Sequence, residues 1–312
     1  MDNASTTTTR PPRRNVIATG LRGRVAVLAT LAAVLATTGA AAVGAPAAGA
    51  AMLSTKSSNW AGYAARRTGV AFKRVSATWT VPKVDCTSPT NSYSANWVGL
   101  GGYAANSQAL EQLGTESDCS GNGTATYSTW FEVVPAASSS AKLAIQPGDS
   151  VFASATVNGH LVTLTLANLT RGTKATKSVR AATVDLSSAE WIVEAPGVCL
   201  GESEASCRQS ALANFGTTNF TSARATTTAG HAGSILDSAW NAIGISLSPQ
   251  QQVTPRGPGG GWVPGGGWSP GAAGTGTDTG TATPVQDVSS SGSASPAGLS
   301  PDGTAFSVNY AP

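Results

Sequence analysis

The fold class predicted for this chain is an all-β antiparallel sandwich or jelly roll. Three observations carry that prediction. Short runs in which apolar and polar residues alternate recur from Asn59 onward. Clusters of Gly, Asn, Asp and Pro separate these runs, and no stretch shows sustained helical periodicity. Alternation with period 2 marks strands that bury one face, and many short strands at such spacing pack as two layers.

The expected strands follow in order: Phe72–Val81, Tyr93–Leu100, Tyr127–Val134, Ser150–Val157, His160–Leu166 and Lys177–Val184. Pro147-Gly148-Asp149 reads as a turn, with Asp149 as a turn acid. Asn158-Gly159 is a two-residue hairpin signal, which leaves His160 as the first residue of the next strand. His231 falls in a polar loop. The end of the chain, Thr304 to Tyr310, alternates like a strand.

Outside this region the composition changes. Residues 1–24 carry Arg10, Arg13, Arg14, Arg22 and Arg24, and Val25–Val43 is apolar and rich in small residues. Ala45–Ala50 then offers a small-residue cleavage region, so residues 1–50 read as a secretory signal peptide. A single membrane anchor is the competing reading. Residues 51–256 form the expected sandwich domain, and 257–302 a Gly/Pro/Ser/Thr-rich flexible insertion. Residues 303–312 return as the final strand, the alternative being a plain disordered tail. The expected location is extracellular, with no membrane association once the signal is removed.

The formal net charge of +3 includes five arginines and one aspartate of the signal, so residues 51–312 carry about −1. No basic stripe tracks phosphates, and nucleic acid is not an expected partner. Four cysteines in an exported chain argue for two disulfides. Of three pairings, proximity in sequence favours Cys86–Cys119 with Cys199–Cys207. Two histidines and no CxxC spacing argue against a zinc site, and no metal or cofactor is expected.

The chemistry concentrates in Ser188-Ala189-Glu190-Trp191-Ile192-Val193-Glu194-Ala195-Pro196. Trp, Ile and Val favour an extended chain, and Pro196 ends it. Alternation turns Glu190, Ile192 and Glu194 to one face, and Trp191 and Val193 to the other. A carboxylate sharing a face with Ile is partly desolvated, which raises its pKa toward that of a usable acid or base. Glu190 and Glu194 are about 13 Å apart at strand rise, so a catalytic Glu here needs a partner from another strand.

Five further blocks set polar residues among apolar ones: Ser58–Tyr63, Ala77–Pro82, Asn96–Gly102, Leu110–Glu116 and Trp130–Pro135. Taken in order with Ser188–Pro196, they resemble the glutamic peptidases, the eqolisins of family G1, across about Asn59 to Ala223. The resemblance implies a concanavalin-like sandwich with its active site on the concave sheet. It implies a secreted, monomeric endopeptidase acting on extended polypeptide with no covalent intermediate. Its catalytic Gln falls on Gln112 and its catalytic Glu on Glu194, while Glu190 matches a non-catalytic position. Trp97, Trp130, Glu132 and Glu116 match cleft positions, implying substrate binding or an influence on Glu194. Asn59 and Trp60 match the opening N-W and are expected to be structural.

The implied chemistry is sound in itself. Glu194 can take a proton from water and return it to the leaving amine, while the amide of Gln112 donates to the oxyanion. Two departures stand out: Gly101 replaces an acidic residue of the family pattern, and Val134 an aromatic one. Fewer carboxylates are therefore expected in the cleft. A glycoside hydrolase or carbohydrate-binding sandwich using Glu132 and Glu194 is the alternative, and it predicts that Gln112 is dispensable.

Overall fold

The computed structural model describes residues 52–199, 207–248 and 292–312. The signal segment expected at residues 1–50 and most of the insertion expected at 257–302 lie outside the described residues. Twenty strands make up the described fold, and it contains no helix among the described residues. In chain order they are β1 (Leu53–Ser57), β2 (Trp60–Arg66), β3 (Phe72–Thr80), β4 (Ser92–Tyr93) and β5 (Ala95–Gly101). Next come β6 (Leu110–Cys119), β7 (Ala125–Val133), β8 (Ser139–Ser140), β9 (Ser150–Asn158) and β10 (Leu161–Asn168). β11 (Thr173–Arg180), β12 (Ser188–Glu194), β13 (Gly197–Cys199), β14 (Cys207–Gln209) and β15 (Ala211–Leu212) follow. The last are β16 (Thr217–Thr227), β17 (Ala232–Gly233), β18 (Asn241–Leu247), β19 (Ser293–Pro296) and β20 (Phe306–Ala311).

Pairing arranges the long strands in two layers. The first runs β1-β18-β2-β12-β5-β6-β7-β8. The second runs β11-β10-β9-β3-β16-β20-β19. Leu247 of β18 pairs with Ala294 of β19, so hydrogen bonding continues from one layer into the other without closing a barrel. All pairs are antiparallel except β1 with β18 and β15 with β4. The predicted antiparallel sandwich is the observed architecture.

Alternation decides what lies between the layers. Trp79, Trp191, Phe72, Phe220, Leu164 and Leu166 are fully buried there. Each such side chain contributes about 1.5–3 kcal/mol when removed from water. Phe220 stacks on Phe306 at 4.9 Å, and Phe306 meets Tyr63 edge-on at 4.8 Å, which ties the C-terminal strand to both layers. Buried donors find partners: the indole of Trp79 donates to Thr115 Oγ1, and that of Trp191 to the Ser76 carbonyl.

Several expectations need correction. The β9–β10 loop is Gly159-His160, because Asn158 pairs with Leu161; His160 is a turn residue and not a strand residue. Gly159 has φ +58, which suits the first loop position of a II′ turn. The strand expected at Lys177–Val184 begins earlier, at Thr173, because Asn168 pairs with Thr173 across a short turn. Asp149 is more than a turn acid. It is buried and accepts hydrogen bonds from Asn168 Nδ2 at 2.7 Å and Arg171 Nε at 2.8 Å. Within the segment expected to be flexible, Ser293–Pro296 forms β19 and Ala294 is buried, since backbone pairing needs little from the side chains.

The Cys86–Cys119 disulfide is formed, as sequence proximity favoured. In the small β13–β14 ladder the backbone register sets Cys199 opposite Cys207. The side chains of these two cysteines lie outside the described residues.

Candidate active site

Four neighbouring strands of the first layer, β12, β5, β6 and β7, turn one face away from the main core. Their registers align the side chains of that face in rows. One row runs Glu190, Gly99, Gln112, Glu132. The next runs Ile192, Trp97, Gly114, Trp130, and the third Glu194, Ala95, Glu116, Ser128. Residues two apart share a strand face, so the six residues singled out from sequence are brought together. Gln112 and Glu194 lie on strands separated by β5, in the first and third rows, with Trp97 between them in the second. Trp60, Trp97, Trp130, Leu110, Ile192 and Ile245 form a second apolar cluster on this face. Trp60 meets Trp97 edge-to-face at 5.0 Å. The described tryptophans thus divide, with Trp79, Trp191 and Trp240 in the core and Trp60, Trp97 and Trp130 at the site.

Glu194 is 1% exposed and is held at both oxygens. Asn59 Nδ2 donates to Oε1 at 3.0 Å, and Trp97 Nε1 donates to Oε2 at 2.8 Å. The Asn59 amide is itself oriented, because its Oδ1 accepts from Ser57 Oγ at 3.0 Å. Asn59, expected to be structural, therefore touches the principal carboxylate. Gln209 Nε2 hydrogen-bonds the Ser58 carbonyl and secures the same loop from β14.

Gln112 and Glu132 are fully buried, and Gln112 Nε2 donates to Glu132 Oε2 at 2.7 Å. Neither Oε1 of this pair has a hydrogen-bond partner among the described residues. Glu116 accepts from Ser128 Oγ at 2.8 Å. Gly99 makes the first row possible, since a Cβ there would meet Trp97, Leu110 and Gln112 at 2.9, 3.1 and 3.2 Å.

Burial dominates the electrostatics. Glu132 is pushed up to about 9 by burial, aided by the charges of Glu194 and Glu116 and opposed by the Gln112 hydrogen bond. Glu190 is raised well above the carboxylate range by burial, with Asp185 and Glu111 adding to it. Glu111 rises well above that range and Glu116 rises as well, burial being the leading cause in both. Asp118 reaches about 8 through burial and the charge of Glu116.

At Gly101, where the family pattern has an acidic residue, a side chain would collide with Asp185, which enters from the β11–β12 connection and sets a carboxylate close by. Burial pulls Asp185 upward, but hydrogen bonds from Ser107, Ser187 and the Gly102 amide outweigh it and hold its carboxyl below the usual range. No periodicity or motif marked Asp185, because its place depends on a connection and not on a strand. Among the described residues, no group of three or more His, Cys, Asp or Glu is arranged to hold a metal ion.

The face therefore offers one carboxylate oriented by two donors, one oriented primary amide, and several acids kept neutral by burial. Residues 58–255 match the Peptidase A4 family. Among solved structures, one of scytalido-glutamic peptidase with a peptide-based transition state analog is 25% identical, with TM-score 0.55. The match covers 81% of this chain and 98% of that one. A second, of scytalido-glutamic peptidase with a transition state analog inhibitor, is 31% identical with TM-score 0.50, covering 57% of this chain and 84% of that one. No curated protein sequence matches the chain.

Proposed function

The chain belongs to the Peptidase A4 family and is a glutamic endopeptidase, and we propose that it hydrolyses peptide bonds through Glu194 and Gln112. Glu194 as carboxylate removes a proton from water, whose oxygen bonds to the scissile carbonyl carbon. Gln112 donates an amide N–H to the oxyanion that develops, a role in which a buried neutral donor is effective. The protonated Glu194 then passes its proton to the leaving nitrogen, the C–N bond breaks, and the carboxylate is regenerated.

The observation that supports this best is the double support of Glu194 by Asn59 and Trp97. Donors at both oxygens favour the charged form that a base requires and fix its direction. The apolar cluster of tryptophans excludes water from around it, which strengthens each of these interactions. Substrate on this reading is an extended polypeptide, consistent with the peptide-based analog bound by the relative. Export through residues 1–50 belongs to the same proposal, and the Cys86–Cys119 disulfide supports an oxidising destination. The glycosidase alternative is set aside, since the family is one of peptidases.

The test compares the exported protein with its Glu194→Gln variant for cleavage of a denatured protein. Cleavage by the wild type and none by an equally folded variant is expected. Equal cleavage by both would remove Glu194 from the mechanism.

A further inference from the structure

We propose that Glu132 is a positioning residue for peptide hydrolysis, fixing the side-chain amide of Gln112 so that its nitrogen, and not its oxygen, is committed toward β7. This rests on the reading of Gln112 as oxyanion donor given above. Glu132 then touches neither water nor substrate and acts only through Gln112.

The need for such a residue follows from the chemistry of an amide. The last torsion of a Gln side chain is broad, and a half-turn exchanges oxygen and nitrogen with almost no change of shape. Around Gly99, Leu110 beside Gln112 is apolar and the Trp97 indole N–H is already given to Glu194, so neither tells the two orientations apart. A hydrogen-bond acceptor can. Glu132 sits directly opposite Gln112 in the β6–β7 register, is fully buried, and takes Nε2–H at 2.7 Å. One N–H is thereby engaged, and the second N–H and Oε1 are left for the reacting groups. Oε1 has no partner among the described residues.

The charge state of Glu132 suits this role. A carboxylate touching the donor amide would repel the developing oxyanion, whereas a neutral acid still accepts through its carbonyl oxygen. Burial keeps Glu132 in the neutral form through the acid and neutral range. Glutamine, which carries the same carbonyl on the same stem, should therefore replace it.

The experiment measures kcat and KM on a peptide substrate for the full-length protein and four variants: Glu132→Gln, Glu132→Leu, Gln112→Ala and the Gln112→Ala/Glu132→Leu double. Glu132→Leu should lower kcat about 10-fold to 100-fold with KM little changed, the loss typical of a slightly misplaced catalytic group. Glu132→Gln should restore kcat to within a few-fold of wild type. The double variant should be no worse than Gln112→Ala, because the two residues act as one unit. Inactive Glu132→Gln would instead make Glu132 a proton-transfer group, and additive losses would make it independent of Gln112; either overturns the proposal. So does an unaffected Glu132→Leu when Gln112→Ala is impaired. A silent Gln112→Ala would overturn the parent reading itself. Should Glu132→Leu fail to fold, the activity of Glu132→Gln decides the matter alone.

Discussion

The indole N–H of Trp97 on β5 lies 2.8 Å from Oε2 of Glu194 on β12, joining an aromatic wall to the principal carboxylate of the site. The same ring packs edge-on against Trp60, so its direction is set by apolar contact and its use is polar. Replacing Trp97 by Phe keeps most of the packing and removes the donor. A hydrogen bond to a charged group is worth about 1.5–3 kcal/mol, or roughly 10-fold to 150-fold in kcat/KM. The acid limb of the activity profile should also move to higher pH, because a donor lost from a carboxylate favours its protonated form. Trp130→Phe is the control, since the Trp130 indole N–H has no partner among the described residues. Equal losses in the two variants would mean that Trp97 serves only as packing.

Much of this site was legible in sequence, because it is made by strands whose period is fixed. Glu190, Ile192 and Glu194 separate from Trp191 and Val193 by counting alone, and the main core receives the second set. Asn59 and Asp185 were not legible as site residues. Asn59 meets Glu194 across 135 residues of chain, and Asp185 meets the Gly102 amide across 83. Contacts of that separation depend on which strands become neighbours, and local pattern carries no trace of them. The shift at β11 and the ordering of Ser293–Pro296 have a related cause, since pairing partners decide where such segments become strands.

Gly99 is expected to be intolerant of substitution for reasons of space. A Cβ at this position would press on Trp97 at 2.9 Å and on the Cβ of Gln112 at 3.2 Å, both of which belong to the site. Overpacking of this kind costs about 1–3 kcal/mol in stability. Activity should suffer more than stability, because displacement of either side chain alters the geometry across β5. Thermal melts and kcat of Gly99→Ala measure the two effects. A variant with wild-type kcat would show that the row has slack.

The Cys86–Cys119 bridge encloses β4, β5 and most of β6, and therefore both Trp97 and Gln112. With a sequence separation of 33 residues, chain-entropy reasoning gives about 3–4 kcal/mol of stabilisation. The double variant Cys86→Ser/Cys119→Ser should unfold at a distinctly lower urea midpoint. A reductant should lower the midpoint of the wild type by more than it lowers that of the variant, in which only the Cys199–Cys207 pair remains to be reduced. An unchanged midpoint in the double variant would remove the bridge as a contributor.

Stability should decline from acid to alkaline pH, and the buried carboxyls give the sign. Glu132, at about 9, and Asp118, at about 8, bind protons in the folded chain that they release in the unfolded one. Glu111 and Glu190 are shifted in the same direction. The folded state therefore holds more protons than the unfolded state between about pH 4 and the raised values, and stability falls as pH rises through that window. Asp149 and Asp185 are shifted the other way, so their contribution is lost only below the usual carboxylate range. The maximum is expected near the lower end of the window. Glu190 gives the sharpest test, because it is fully buried and burial is the leading cause of its shift. Glu190→Gln cannot ionise, and its melting temperature should fall less steeply than that of the wild type from about pH 5 to about pH 9. A wild-type melting temperature that rises over this range, or a variant with the same slope, would mean that these carboxyls ionise in the folded protein without penalty.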